Sequence, residues 1–351
     1  MPYIDISIEE LHTISNAKIV DIRAPIEWEN GALPNSINIP IFDNEERSRI
    51  GIIYKSVGPE KAQELGLEIV SAKLPAIVKE IKEISQTHTI VIYCWRGGMR
   101  SKSIAVILDL LGIPVYRICG GYRAYRKHVV NQLQSNVFQK TFIVLHGMTG
   151  VGKTVILKEL QAEGYPVLNL EEFAGHRGSS FGSIGLKAPN NQKQFESLLW
   201  QRIREIGDTS YYIIEAESKR IGKVLIPDAL MDAKHNGKHI YLTACIEKRV
   251  DRIIQDYQST YTVDQLLNEI QAPISLLKKK LPLGTVECIQ DAIIKKDIKT
   301  VVQALMIEYY DPRYIFKSNQ YPGGFYEIDA NDLDNAKQEI IKYAVQHHIF
   351  A

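Results

Sequence analysis

A glycine-rich stretch near the middle of the chain constrains the fold more than any other feature. Residues 147–154, GMTGVGKT, match the pattern G-x-x-x-x-G-K-[ST] at every fixed position. The apolar residues 142–145 before it predict a buried strand, and the pattern of residues 155–160 after it predicts a helix. A strand, a glycine loop and a helix in this order predict an α/β sheet whose loop surrounds a phosphate with backbone N–H donors.

The side chains of this stretch have distinct expected roles. Lys153 would neutralise the outer charge of a di- or triphosphate, and the hydroxyl of Thr154 is a candidate ligand for Mg²⁺. The residues predicted to bind phosphate are Gly147, Gly150, Gly152, Lys153 and Thr154. The pattern leaves open whether the ligand is a nucleotide or another diphosphate. Residues 211–218 predict a strand that ends in two acids, and Glu217 is a stronger candidate than Glu215 for a role at this site.

A second loop, around a cysteine, predicts another anion site. Residues 89–93 predict a buried strand, and residues 103–111 predict a helix. Cys94 therefore lies at the carboxyl end of a strand, where loop amides and the helix dipole favour an anion and a thiolate nucleophile. Cys94 is the predicted catalytic residue, and the predicted anion loop comprises Trp95, Arg96, Gly97, Gly98, Met99 and Arg100.

The composition is that of a globular protein. The chain has 351 residues, of which 45% are hydrophobic and 24% charged, and its length favours two domains. The net charge of +1 means that contact with a nucleic acid must depend on local basic patches. There is no apolar run of the roughly 20 residues that a membrane helix needs, no signal-peptide pattern and no CxxC spacing. We therefore expect a cytoplasmic protein without membrane contact, disulfides or structural zinc.

The first half of the chain alternates predicted strands and helices, which is typical of a parallel α/β sheet. Together with Cys94, the stretches 21–23, 27–28 and 31–40 resemble a rhodanese domain, and this implies that Cys94 carries sulfur as a persulfide. Asp21 and Arg23 are either a structural ion pair or part of the site. The loop from Cys94 to Arg100 is one residue longer than the usual rhodanese loop and has the C-x5-R spacing of cysteine-dependent phosphatases. A phosphate-sized group would fit it.

Further polar residues are candidate contacts to substrate or RNA. They are Arg123 and Arg126 in the stretch 120–127, His176 and Arg177 in the stretch 174–183, and Glu217. Basic residues at 247–252 and 278–280 face either RNA or solvent. Cys245 and Cys288 have apolar neighbours along the chain and are predicted to be buried. The stretch 309–314, YYDPRY, predicts a turn without an assigned role.

The two loops in one chain are more specific than either loop alone. The chain resembles the tRNA 2-selenouridine synthase family, and the resemblance rests on residues 94–101, 120–126, 147–154, 176–182 and 217–222. We expect a rhodanese-like parallel-sheet domain over 1–130, a linker over 131–140, and a P-loop NTPase-like α/β domain with a helical C-terminal part over 141–351.

The resemblance to this family implies replacement of sulfur by selenium in wobble 2-thiouridine of tRNA, with selenophosphate as the donor. It also implies transfer of a geranyl group from geranyl diphosphate to the 2-thio group. Both phosphate donors are substrates, no tightly bound cofactor is expected, and the need for Mg²⁺ is open. The expected partner is tRNA, and the enzyme that makes selenophosphate is a candidate partner. The alternatives are an ATP-dependent tRNA sulfurtransferase, a cysteine-dependent phosphatase with a C-x5-R loop, and a non-catalytic RNA-binding protein.

Overall fold

The chain forms two compact units, each with its own parallel sheet. The computed structural model describes residues 3–177, 188–258, 261–315 and 324–346. One unit comprises residues 1–132 with 196–198, and the other comprises residues 133–195 with 199–351. Both sheets are flanked by helices, which confirms the predicted α/β class.

A parallel sheet of five strands forms the centre of the first unit. Its strands are β1 (Ile4–Ile6), β2 (Ala17–Asp21), β3 (Ile37–Asn38), β4 (Thr89–Tyr93) and β5 (Val115–Ile118). Their spatial order is β1-β5-β4-β2-β3. Ile90, Val91 and Ile92 of the central strand β4 are fully buried, because helices cover both faces of a parallel sheet. The carboxyl end of β4 is therefore where a ligand site is expected.

Five α-helices accompany this sheet. They are α1 (Pro25–Glu29), α2 (Asn44–Ser56), α3 (Pro59–Ser85), α4 (Met99–Leu110) and α5 (Gly121–Gln134). The apolar pattern of residues 69–84 predicts only the second half of α3, which begins at Pro59, a residue suited to the first helical position. The capping box of Asp43 and Glu46 marks the start of α2, which the hydrophobic pattern does not predict.

The second unit is built on a further parallel sheet and a small hairpin. Its strands are β6 (Thr141–Gly147), β7 (Val167–Leu168), β8 (Tyr211–Glu215), β9 (Arg220–Ile221), β10 (Val224–Leu225), β11 (Lys238–Thr243) and β12 (Tyr326–Asp329). The sheet has the order β12-β11-β6-β8-β7, while β9 and β10 pair as an antiparallel hairpin. Strand β6, which leads into residues 147–154, is therefore central.

The helices of the second unit fall into two groups. They are α6 (Lys153–Ala162), α7 (Leu170–Ala174), α8 (Gln192–Ile206), α9 (Asp228–His235), α10 (Ile246–Gln258), α11 (Val263–Leu277), α12 (Leu283–Ile294), α13 (Ile298–Leu305), α14 (Asp311–Ile315) and α15 (Leu333–Gln346). Leu160 of α6 and Ile340 of α15 pack in the core of the sheet. Leu267, Ile289 and Val301, from α11, α12 and α13, belong to a separate helical core.

Within residues 131–140, α5 continues to Gln134, a 3-10 turn covers Asn136–Phe138, and Phe138 is buried. Two local predictions differ from the structure. Residues 309–314 are helical rather than a turn, since a π-helix at Met306–Tyr310 leads directly into α14, where a proline is tolerated in the first turn. Cys245 and Cys288 are exposed, because sequence neighbours on one element point in different directions.

None of the described helices is both long and apolar enough to span a bilayer.

Candidate active site

Cys94 lies at the carboxyl end of β4, at the start of residues 94–100, which we call the thiol loop. Its side chain is buried, and its Sγ is 3.2 Å from the hydroxyl oxygen of Ser101 in the first turn of α4. The helix begins at Met99, directly after Gly98, so the loop ends at a helix N-terminus. This places a thiol beside backbone N–H groups that attract an anion.

Glycines allow the start of α5 to pack directly against the thiol loop. Gly97 has φ +61°, and a Cβ there would lie 2.7 Å from the backbone N of Gly120. A Cβ on Gly121, at φ +57°, would overlap the carbonyl oxygen of Cys94. That carbonyl accepts a hydrogen bond from the backbone N of Tyr122 at 2.9 Å. Gly97 and Gly121 are therefore needed for close backbone approach.

The two arginines of the thiol loop differ in their surroundings. Arg96 is exposed, and no described residue forms an ion pair with it. Arg100 donates from Nη1 to Oε2 of Glu27 at 2.8 Å. Burial raises the pKa of Glu27, but the ion pair with Arg100 outweighs it, so the pKa lies below its ordinary value. Arg100 is thus already paired with a carboxylate, which weakens the analogy with a phosphatase that needs this arginine for phosphate.

The buried ion pair of Asp21 and Arg23 packs beside the thiol loop. Arg23 and Asp21 are both fully buried, with Nη2 and Oδ2 2.6 Å apart. The guanidinium carbon of Arg23 lies 4.2 Å from the ring centre of Tyr122, whose ring packs against Trp95 with centroids 5.6 Å apart. Because both side chains are completely buried, this ion pair stabilises the thiol loop and does not contact substrate. Arg117, which the sequence analysis missed, pairs with Asp5 and donates to the carbonyl of Gly97.

The two candidate arginines after β5 differ in their surroundings. Arg123 is exposed, whereas Arg126 forms an ion pair with Glu196. Tyr122 and Tyr125 are buried. Arg123 is therefore the better candidate for contact with RNA.

Residues 147–154, which we call the phosphate loop, connect the end of β6 to the start of α6. Gly147, Gly150 and Gly152 all have positive φ, which only glycine adopts without strain. The ammonium group of Lys153 donates to the carbonyl oxygen of Gly147 at 2.7 Å. Burial lowers the pKa of Lys153, although nearby carboxylates such as Glu171 act in the opposite direction.

Three glutamates surround the first turn of α6. The hydroxyl of Thr154 donates to Oε2 of Glu171 at 3.0 Å, and the backbone N of Glu171 donates to Oε1 of Glu215 at 2.8 Å. Burial, followed by repulsion from Glu217, raises the pKa of Glu171 to about 7, and burial, followed by repulsion from Glu171, raises the pKa of Glu215 to about 8. No sequence motif singles out Glu171, although it follows a short strand and lies in the first turn of a helix that Asn169 caps.

A cavity of about 500 Å³ opens from the phosphate loop into the helical core. Its polar end contains Lys153, Glu171, Arg177 and Glu217. Its other end is aliphatic, and we call it the apolar pocket; it is lined by Leu266, Ile270, Val301, Val302, Leu305 and Met306. A ligand that fills the cavity would combine an anionic head with a hydrocarbon body.

The candidate contact residues His176 and Arg177 both pack against neighbouring residues. Arg177 forms an ion pair with Asp256 at 3.0 Å and lies over the ring of Tyr257. His176 packs over Gly222, where a Cβ would lie 2.9 Å from the imidazole ring. Residues 178–183 of the predicted glycine-rich stretch lie outside the described residues.

The basic residues at 247–252 do not all face solvent or RNA. Arg249 is only 4% exposed and donates from Nε to the carbonyl oxygen of Thr149 at 2.9 Å. Arg252 donates to the carbonyl oxygen of Val151 at 3.0 Å. Both arginines therefore hold the phosphate loop against α10 through hydrogen bonds to its carbonyl oxygens. Within the described parts of the chain, no three His, Cys, Asp or Glu side chains are grouped as metal ligands.

Comparison with known proteins adds to this geometry. The family described as "tRNA 2-selenouridine synthase AAA domain" matches residues 140–347, and the family described as "Rhodanese-like domain" matches residues 7–128. The protein named tRNA 2-selenouridine synthase from Nitrosomonas eutropha is 30% identical over 344 residues, 96% of this chain and 85% of that protein. Its counterpart from Nitrosomonas europaea is 34% identical over 268 residues, 74% of this chain and 69% of that protein. The chain therefore belongs to the tRNA 2-selenouridine synthase family.

Proposed function

We propose that this protein is a tRNA-modifying transferase that replaces the sulfur of wobble 2-thiouridine by selenium from selenophosphate. In the same proposal, it transfers a geranyl group from geranyl diphosphate to the 2-thio group. Family membership supports tRNA as the partner and 2-selenouridine as the product. The assignment of geranyl diphosphate as the second donor rests on the cavity of the second unit, which connects the phosphate loop to the apolar pocket.

The cavity suits geranyl diphosphate better than a nucleotide. The diphosphate would lie against the amides of the phosphate loop and Lys153, and the hydrocarbon chain would enter the apolar pocket. Each CH₂ group buried there contributes about 0.8 kcal/mol to binding. A nucleotide would place a polar base among Leu266, Ile270 and Leu305, where burial of an unpaired polar group is costly. This weighs against the ATP-dependent sulfurtransferase alternative.

The geranyl transfer depends on stabilising the negative charge of the leaving diphosphate. The 2-thio sulfur attacks C1 of the geranyl group, the C1–O bond breaks, and diphosphate leaves with the bonding electron pair. Lys153 and the loop amides stabilise the negative charge that develops on the leaving diphosphate. Mg²⁺ fits the same place, because the Thr154 hydroxyl and the Glu171 carboxylate are oxygen ligands of the type that it takes beside a diphosphate.

The selenium step belongs to the thiol loop. Its amides and the exposed Arg96 would hold the phosphoryl end of selenophosphate, and the Cys94 thiol would position the selenium while it remains bonded to phosphorus. The selenium of selenophosphate attacks C2 of the geranylated uridine, the C2–S bond breaks, and the sulfur leaves as geranyl thiolate, which takes up a proton. Water then attacks the phosphorus atom, the Se–P bond breaks with its electron pair going to selenium, and inorganic phosphate leaves. The longer loop leaves room for a phosphate-bearing donor.

Mass spectrometry of wobble uridines tests the proposal. Purified protein with thiolated tRNA and geranyl diphosphate should form S-geranyl-2-thiouridine, and addition of selenophosphate should convert it to 2-selenouridine. Lys153→Ala should lower the geranylation rate on the order of a hundredfold, because it removes the charge that stabilises the leaving diphosphate. The exposed Lys248→Ala on α10 is the matched control. Consumption of ATP without use of geranyl diphosphate would favour the sulfurtransferase alternative instead.

A further inference from the structure

Arg249 connects the phosphate loop to a segment far away in the sequence. From α10 its Nε donates to the carbonyl oxygen of Thr149 in the phosphate loop at 2.9 Å. Its Nη1 and Nη2 donate to the two carboxylate oxygens of Asp311 at 3.0 and 2.5 Å. Because Arg249 is only 4% exposed, these bonds form away from bulk water and are stronger than at the surface.

Asp311 belongs to the segment that also lines the apolar pocket. It is the first residue of α14 and follows the π-helix Met306–Tyr310 without a break. Met306 and Tyr310, at the two ends of that π-helix, both line the cavity. Single π-helical turns are frequent at functional sites. The same short segment therefore supplies a wall of the apolar pocket and the carboxylate that orients Arg249.

The phosphate loop is in direct contact with α10. A Cβ on Gly150 would lie 2.7 Å from the carbonyl oxygen of Arg249, so only glycine fits there. Arg252 donates to a second loop carbonyl, that of Val151. Arginines that bind the carbonyl groups on one side of a loop leave its N–H groups free to point to the other side, toward an anion.

We propose that Arg249 and Asp311 are positioning residues that couple the phosphate loop to the wall of the apolar pocket. The pair holds the Thr149 carbonyl away from the ligand, so the loop amides are oriented for a diphosphate only when the segment 306–311 is in place. The identity of the diphosphate ligand rests on the proposed function; the coupling itself rests on the contacts of Arg249.

The test measures binding of inorganic pyrophosphate to the full chain by titration calorimetry. Loss of one partner alone would leave a buried charge and threaten folding, so the first variant is the double substitution R249M/D311L, which replaces the pair by apolar side chains. The second variant is R249K, which keeps the charge but not the fork that contacts both Asp311 and Thr149. The control is D251N, on the same helix as Arg249, which breaks the exposed ion pair of Asp251 with Lys299 of α13.

The expected result separates positioning from folding. R249M/D311L should melt near the wild-type temperature yet bind pyrophosphate on the order of tenfold more weakly, since the loop loses an oriented donor. R249K should show an intermediate loss, and D251N should bind as the wild type does. A folded double variant with wild-type affinity for pyrophosphate would overturn the proposal, and if the double variant does not fold, wild-type affinity in R249K would overturn it.

These titrations, together with the mass-spectrometric assay of geranyl transfer, distinguish this inference from the proposed function. If the wild type binds pyrophosphate but does not use geranyl diphosphate, the proposed function is wrong, while a loss of pyrophosphate binding in R249K would still support the positioning role. If geranyl diphosphate is a substrate and all variants bind pyrophosphate equally, the positioning role alone is wrong.

Discussion

Cys94 is the residue on which the selenium half of the proposed reaction depends. Its Sγ is buried beside the Ser101 hydroxyl at the start of α4, whereas the chain's other three cysteines are exposed. Cys94→Ser should abolish selenium incorporation into tRNA and leave geranyl transfer largely intact, because the phosphate loop is unchanged. Mass spectrometry of the wobble base measures both products. Cys288→Ser, at an exposed position of α12, is the control, and full selenation by Cys94→Ser would exclude a role for the thiol.

Glu215 links stability to pH. Burial, followed by repulsion from Glu171, raises the pKa of Glu215 to about 8 from its ordinary value of 4.5. Between these values the folded protein retains a proton that the unfolded chain has released, so the free energy of unfolding falls as the pH rises through this window. Glu215→Gln cannot ionise but can still accept the hydrogen bond from the backbone N of Glu171. We expect this variant to lose less stability than the wild type between about pH 5 and about pH 8.

Denaturant unfolding at several pH values checks the prediction on Glu215. Each unit of pKa difference corresponds to about 1.4 kcal/mol, so the change in slope should be measurable. The exposed Glu247→Gln on α10 should keep the wild-type dependence. Parallel pH profiles for Glu215→Gln and the wild type would show that this carboxyl is not protonated in the folded state.

At the scale of elements, both candidate sites form where a central parallel strand ends and a helix begins. Strand β4 leads through the thiol loop to α4, and β6 leads through the phosphate loop to α6. Backbone amides and helix dipoles attract anions at such junctions. What distinguishes the second site is the group of helices α10–α13, which adds an aliphatic wall beside the phosphate loop.

The apolar pocket should therefore control the hydrocarbon part of the substrate alone. Val302→Trp, on the pocket side of α13, should raise KM for geranyl diphosphate on the order of tenfold or more, because the indole fills space needed by the chain. Binding of inorganic pyrophosphate should not change. Ile294→Trp at the end of α12, at a side chain that is 79% exposed, is the control. Equal losses for both ligands would place the hydrocarbon chain elsewhere.

At the scale of the whole molecule, the net charge of +1 gives no general attraction for tRNA. Contact with RNA must come from individual exposed cations such as Arg123, which lies near the thiol loop at the start of α5. Arg123→Ala should weaken tRNA binding and lower the salt dependence of the affinity by about one phosphate contact. Filter binding at several salt concentrations measures both. Lys55→Ala, exposed on α2, should have no effect, and an unchanged salt slope for Arg123→Ala would remove this residue from the RNA surface.

The sequence by itself was sufficient to predict both loops and the α/β class. Residues 89–93 were predicted as a strand with the bounds that β4 has, and residues 147–154 connect β6 to α6 as their pattern indicates. These features are local, since contiguous glycines, an apolar strand and a helix start determine the direction of the amides. Prediction was weaker for the bounds of α3 and the existence of α2, where polar capping rather than apolar periodicity marks the helix start.

Only the tertiary structure decided which distant side chains complete each site. Arg100 meets Glu27, Thr154 meets Glu171, and Arg249 meets Asp311. The apolar pocket likewise combines α11 and α13, whose residues are typical of any helical core when seen in the sequence. The physical reason is that backbone conformation follows from neighbours along the chain, whereas ion pairs and cavity walls depend on packing between segments that the sequence pattern does not relate.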